Sequence, residues 1–295
     1  MGELFSMKIC FYSEGHIGDL LLQLPLINIL IKSHPQNQYY YYSMGGQNTL
    51  FDVSLIQVVD NLSPSSTLDG DINIPTWFCN SAYDQFKEKL PPENFFPDYF
   101  SMQEYFFPNI LKTYGLDIEV PKNCGIDFNY KIPSQVKESI EKYKDTKNKN
   151  VILFNQIPRS GQTDSNRYAE YLVGMSSKYP EYNFFYTNDE GIETNLSNLH
   201  YTPNIFGRHK CDILYNAYLS NYCKYIVGRV SGPYMFSGMH NMNVLDDEKI
   251  IISQINSHMG VETFYNKKIY KAKNIQSAST DATFEILNKQ ILGEL

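Results

Sequence analysis

The chain has 295 residues, of which 42% are apolar and 19% charged, with a formal net charge of −7. This length allows two ordinary domains or one large one, and the composition supports a packed core rather than a disordered chain. The acidic balance argues against nucleic acid or an anionic membrane surface as the main partner, and no run of about 18 apolar residues exists to span a bilayer.

In chain order, Lys8 to Tyr12 reads as a short buried strand. It leads into Ser13-Glu14-Gly15-His16-Ile17-Gly18-Asp19 and then the apolar run Leu20 to Ile31. A strand, a turn with two glycines and a helix start bring backbone N–H groups against a ligand. Asp19 stands where that helix begins, as a cap or as a base. Met7-Lys8-Ile9 opens the strand directly, so Met7 is the expected natural start and residues 1–6 an extension. The helix is predicted from Asp19 to Ser33, ended by His34-Pro35. Strands follow at Tyr39 to Ser43, Leu55 to Val59 and Asp71 to Ile74. The segment from Pro91 to Pro108 reads as irregular or helical and aromatic. Ser134 to Tyr143 is an amphipathic helix, and Lys144 to Asn150 a polar linker.

The second half restarts the pattern with a strand at Asn150 to Asn155. A helix from Ser165 to Tyr179 and a strand from Asn183 to Thr187 follow, the latter closing on Asn188-Asp189-Glu190-Gly191. The predicted series continues with a helix from Asp212 to Tyr222, a strand from Lys224 to Val227 and a turn from Gly228 to Gly232. Strands at Lys249 to Gln254 and Lys267 to Tyr270 and a helix from Asp281 to Leu292 complete it. Alternating strands and helices in two halves imply two Rossmann-like domains facing each other across a cleft.

Five cysteines, odd in number and without metal-like spacing, together with the lack of a signal peptide, read as a reduced, cytoplasmic protein, with peripheral membrane association left open. The only four arginines, Arg159, Arg167, Arg208 and Arg229, all lie in the second half. Arginine grips phosphate bidentately, although surface salt bridges are the plainer reading. Gly15-x-x-Gly18-Asp19 lacks the third glycine and later acidic residue of the dinucleotide fingerprint. Asp69-Gly70-Asp71 has the form of an Asp-x-Asp metal motif but the character of a turn, so no metal site is assigned. His16 is the one histidine within a motif, and Ser231 lacks the context of a hydrolase nucleophile.

The run Gly15-His16-Ile17-Gly18-Asp19-Leu20-Leu21-Leu22-Gln23-Leu24-Pro25 resembles the opening of glycosyltransferase family 9, the heptosyltransferases, with its Gly-x-x-Gly-Asp turn and proline six residues after the aspartate. Ser231-Gly232-Pro233 resembles the family's later Asp-(Thr/Ser)-Gly-Pro turn, with Val230 in place of that aspartate. Asn188-Asp189-Glu190 resembles the loop that meets the nucleoside, and Arg159 falls in a phosphate-facing region.

The resemblance implies a GT-B fold. Residues 1–145 would form an acceptor-side domain, 146–275 a nucleotide-sugar domain, and 276–295 a helix crossing back to the first domain. It also implies an inverting, metal-independent transfer from a nucleotide sugar to a glycan or lipid-linked acceptor, without a cofactor. Asp19 would be the general base. Gly15, His16, Gly18, Asn155, Arg159, Asn188, Asp189, Glu190, Arg208, Arg229, Ser231 and Gly232 would bind substrate. A nucleotide-sugar epimerase and an inactive nucleotide- or glycan-binding module are the alternatives.

Overall fold

The computed structural model describes residues 6–13, 23–43, 55–60, 68–76, 99–120, 131–157, 163–208, 212–241, 249–255 and 273–295. The chain divides into two compact units, Met1–Cys124 and Gly125–Leu295.

In the first unit, strands β1 (Lys8–Ser13), β2 (Gln38–Ser43), β3 (Gln57–Asp60) and β4 (Ile72–Pro75) form a parallel sheet in the order β3-β2-β1-β4. Helix α1 (Leu24–Ser33) buries Leu24, Leu26, Ile27, Leu30 and Ile31. Its end is fixed by the Tyr39 hydroxyl, which donates to the His34 carbonyl at 2.8 Å. Alternation along β1 sends Phe11 to the face where its ring stacks on Tyr39 and on Phe107 of helix α2 (Tyr99–Thr113). The aromatic segment therefore contains a helix, whose Phe106, Phe107, Ile110 and Leu111 are buried. Asp69 pairs with Lys8 at 2.6 Å and Asp71 accepts the Lys8 backbone N–H at 2.7 Å, so the Asp-x-Asp stretch acts as a clasp on the start of β1.

The second unit begins earlier than the expected boundary near residue 145. Helix α3 (Ser134–Glu141) belongs to it because Val136 and Ile140 are buried and Glu141 accepts from Tyr218 at 3.0 Å. Six parallel strands follow: β5 (Asn150–Phe154), β6 (Asn183–Tyr186), β7 (Leu199–Tyr201), β8 (Tyr225–Arg229), β9 (Ile250–Gln254) and β10 (Lys273–Ser277), in the order β10-β9-β8-β5-β6-β7. Counted from β5, this is the doubly wound 3-2-1-4-5-6 order, with its topological switch between β5 and β8.

Helices lie on both faces of this sheet. On one, Val151, Leu153, Phe184, Tyr225 and Val227 pack with Leu172 and Met175 of α4 (Ala169–Lys178) and with Phe284 and Leu287 of α8 (Thr280–Leu292). On the other, Phe154 meets Tyr234 of α7 (Gly232–Asn241). There α7 joins α6 (Ile213–Ser220) through a Ser237–Ser220 hydroxyl bond of 2.6 Å. A short helix, α5 (Thr202–Phe206), follows β7. Lys249 closes the end of α6 by donating to the carbonyls of Ser220, Asn221 and Cys223.

The structure departs from the sequence reading at further points, and one expected strand falls outside it. Gly228 and Arg229 belong to β8 rather than to a turn. The described strand that follows β9 is Lys273–Ser277, while Lys267 to Tyr270 lies outside the described residues. The buried Phe284 and Leu287 of α8, expected to cover the first domain, pack into the core of the second unit. Residue 276 is moreover part of β10, so no boundary falls there.

Candidate functional site

The carboxyl edge of a doubly wound sheet at its switch point is where such folds take ligands. In the second unit this edge is formed by Asn155 after β5, Thr187 to Glu190 after β6, and Arg229 to Gly232 at the end of β8. Among the expected substrate residues, Asn155, Asn188, Asp189, Glu190, Arg229, Ser231 and Gly232 are thus brought to one edge. Arg208 is not, because it follows α5 beyond the edge strand β7 and donates to the Tyr215 hydroxyl at 2.8 Å. Gly15, His16, Gly18, Asp19 and Arg159 lie outside the described residues.

Burial and pairing separate the edge residues into two groups. Asn155 is almost fully buried, and its carboxamide is saturated from both sides. Its oxygen accepts the backbone N–H groups of Thr187 at 3.1 Å and Asn188 at 2.8 Å. Its nitrogen donates to the Asn188 carbonyl at 2.8 Å and to Glu190 Oε1 at 2.6 Å. The other Glu190 oxygen accepts the N–H of Ala169, the first residue of α4, at 2.8 Å. A carboxylate of the chain itself therefore occupies the helix N-terminus that would receive a pyrophosphate in a dinucleotide fold.

Arg229 is 0% exposed. One terminal nitrogen donates to the Asn155 carbonyl at 2.8 Å, and the other donates to the Asn166 carbonyl and lies 3.8 Å from Asp164. Its guanidinium carbon sits 4.2 Å from the centroid of the buried Tyr168 ring, a stacked cation–π contact. The expectation that Arg229 grips a diphosphate therefore needs correcting: its terminal nitrogens tie β5 and β8 to the 164–168 segment. Its Nε alone lacks a partner.

Asp164 extends the network. Its carboxylate accepts the Thr280 backbone N–H at 2.7 Å and hydroxyl at 2.6 Å, so the α8 N-terminus is also internally filled. Burial works to raise the Asp164 carboxyl, but the Thr280 and Asn166 hydrogen bonds outweigh it and hold the group below its ordinary value. Tyr168 donates to Gln254 at 2.5 Å, and burial pushes its phenol well above the usual range.

Unlike α4 and α8, helix α7 carries no acidic residue in its first turn. Gly232 is its first residue, and the inward-facing Ser231 hydroxyl has no hydrogen-bond partner. Val230 is 4% exposed and its N–H continues the ladder to the Gln254 carbonyl at 3.1 Å, so the position read against the family's aspartate is part of the apolar floor. Gly228 permits the close approach beneath it, since a Cβ there would sit 2.6 Å from Phe154 Cβ. Sequence reasoning counted Arg167 among the four arginines but did not single it out. It is exposed at the same edge, its guanidinium reaching over Gly191.

No protein-family profile matches the chain, and no curated protein matches it by sequence. Solved structures do. E. coli heptosyltransferase WaaC with ADP-2-deoxy-2-fluoro heptose superposes with a TM-score of 0.59 at 9% identity, covering 98% of this chain and 100% of that one. A glycosyl transferase family 9 protein from Veillonella parvula gives 0.54 at 13% identity, over 100% and 91% of the two chains. The UDP-GlcNAc 2-epimerase from Neisseria meningitidis, bound to UDP-GlcNAc, gives 0.53 at 13% identity, over 97% and 92%. The likeness to glycosyltransferase family 9 read from the opening motif is thus met again in the fold: a mixed α/β chain of two parallel-sheet Rossmann-like units, the GT-B class.

Proposed function

We propose that the chain is a glycosyltransferase that takes a nucleotide sugar and passes the sugar to a hydroxyl of a glycan or lipid-linked acceptor. The observation that carries this reading is the start of α7. Of the helices that follow the two switch-point strands, α4 starts on the Glu190 carboxylate, whereas α7 has no acidic residue in its first turn and begins beside the unpartnered Ser231 hydroxyl. A nucleoside diphosphate leaving group gains negative charge as the glycosidic bond breaks, and a helix N-terminus stabilises that charge. Asp19 is the proposed base on the first unit, removing the acceptor proton as the hydroxyl attacks. The transfer would then be inverting and metal-independent. No helix among the described residues is long and apolar enough to cross a membrane.

An epimerase of the same fold supplies a second reading. The two part in one experiment, in which the chain is incubated with ADP-, GDP-, UDP- and CMP-sugars with and without a glycan acceptor panel. Acceptor-dependent release of nucleotide supports transfer. Isomerised nucleotide sugar without acceptor supports epimerisation, and neither product leaves a binding module.

A further inference from the structure

We infer that Arg167, and not Arg229, is the arginine that binds the anionic part of the ligand at this edge, and that Arg229 is the positioning residue that presents it. The inference deepens the nucleotide-sugar reading and rests on it.

The neighbours of Arg167 in sequence are fixed on both sides. The Asn166 carbonyl is held by the buried Arg229 guanidinium, the Tyr168 ring lies under that guanidinium at 4.2 Å, and the Ala169 N–H is held by Glu190. Asp164, three residues earlier, is anchored on Thr280. Within residues 164–169, Arg167 is the charged side chain that lies outside the network. Arg167 is exposed, and among the described residues it forms no hydrogen bond or ion pair. Its Nη2 lies 3.7 Å from the point where a Gly191 Cβ would stand, and Gly191 turns the loop after β6 with φ +65°.

A bound anion interacts favourably with the guanidinium, which no carboxylate of the described residues neutralises by an ion pair. A diphosphate suits the planar donor fork of arginine, which lysine cannot reproduce. Arg229 has no exposed surface to offer such a group, so its effect on the ligand runs through the 164–168 segment.

The test uses the full chain and isothermal titration with ADP, GDP, UDP and CDP. Arg167→Gln should raise the Kd of the diphosphate that the wild type binds by at least about tenfold while leaving the melting temperature of the free protein within about 1 °C. Arg229→Lys should lower the melting temperature and also weaken that diphosphate. In the double variant the two affinity losses should not add, because both act on one contact. Should Arg229→Lys not fold, Asp164→Asn loosens the same segment from α8 and should weaken the diphosphate only when Arg167 is present. Unchanged affinity in Arg167→Gln, or losses that add, overturns the inference alone. A wild-type chain that binds none of the four diphosphates overturns the reading of a nucleoside diphosphate leaving group, and the inference falls with it.

Discussion

The carboxamide of Asn155 donates to Glu190 at 2.6 Å and accepts the N–H groups of Thr187 and Asn188, fastening the end of β5 to the loop that leaves β6. The two strands are parallel neighbours, so this bond closes their carboxyl ends where the ladder stops. Because Glu190 also holds the start of α4, one buried amide fixes the spacing of three elements.

Asn155→Asp removes the donor and puts a second carboxylate against Glu190. The expected loss is about 2–3 kcal/mol at neutral pH, from an unpaired buried group and like-charge repulsion. It should shrink at mildly acidic pH, where one carboxyl of the pair holds a proton and can donate. Urea unfolding at pH 7.5 and pH 5 measures both. Equal stability to wild type at pH 7.5 would mean that the loop does not depend on this bond.

Gly228 and Gly174 should respond in opposite directions to alanine. A Cβ at Gly228 would lie 2.6 Å from Phe154 Cβ and 2.8 Å from its carbonyl oxygen, so β8 and β5 must part, at a cost of about 1–3 kcal/mol. Gly174 lies inside α4 with nothing within 4 Å of the added carbon, and alanine there should stabilise by about 0.5–1 kcal/mol. Thermal melts of the two single variants give the comparison directly.

These glycines also show what the sequence could and could not disclose. The apolar runs around Val151, Ile226 and Ile251 announce buried parallel strands because such strands need apolar residues on both faces. The same logic misread Gly228-Arg229 as a turn, since nothing local distinguishes a glycine that bends the chain from one that lets Phe154 come close. The three-residue β7 is too short for its alternation to register. Arg229 was misassigned because its partners are the carbonyls of Asn155 and Asn166, 74 and 63 residues away, and only the topology brings them together. Type alone made Arg167 and Arg229 equivalent; burial separates them. Helix α7 was left out of the chain-order reading, although Ser231-Gly232-Pro233 after an apolar strand is a helix-opening signal.

His200 should make the second unit acid-sensitive. Its ring stacks on Phe185 at 5.2 Å and tilts against Tyr143, and burial, helped by the charge of Lys142, lowers its pKa below the ordinary 6.5. The unfolded chain therefore binds a proton at a pH where the folded one still refuses it. This stabilising contribution is complete above 6.5 and declines as the pH falls through that value toward the lowered one. His200→Phe, which keeps the stacking and cannot titrate, should flatten the decline in urea midpoint between pH 7.5 and pH 5.5. A decline as steep as that of the wild type would assign it to other groups.

Asp19 decides whether the chain performs chemistry. As a helix cap it would contribute about 1 kcal/mol, and Asn would replace it almost without loss. As a general base it must accept the acceptor's proton, which an amide cannot do, and general-base catalysis contributes about 100- to 10,000-fold in rate. Asp19→Asn is accordingly expected to keep the melting temperature and the nucleoside diphosphate affinity of the wild type while losing most sugar transfer. The groups proposed to bind the diphosphate, Ser231 and Arg167, lie in the other unit and are untouched by the substitution. A residual rate that rises with pH would point to hydroxide or an ionised acceptor standing in for the missing base. Transfer at near wild-type rate would reduce Asp19 to a cap and return the question to the glycine turn beside it.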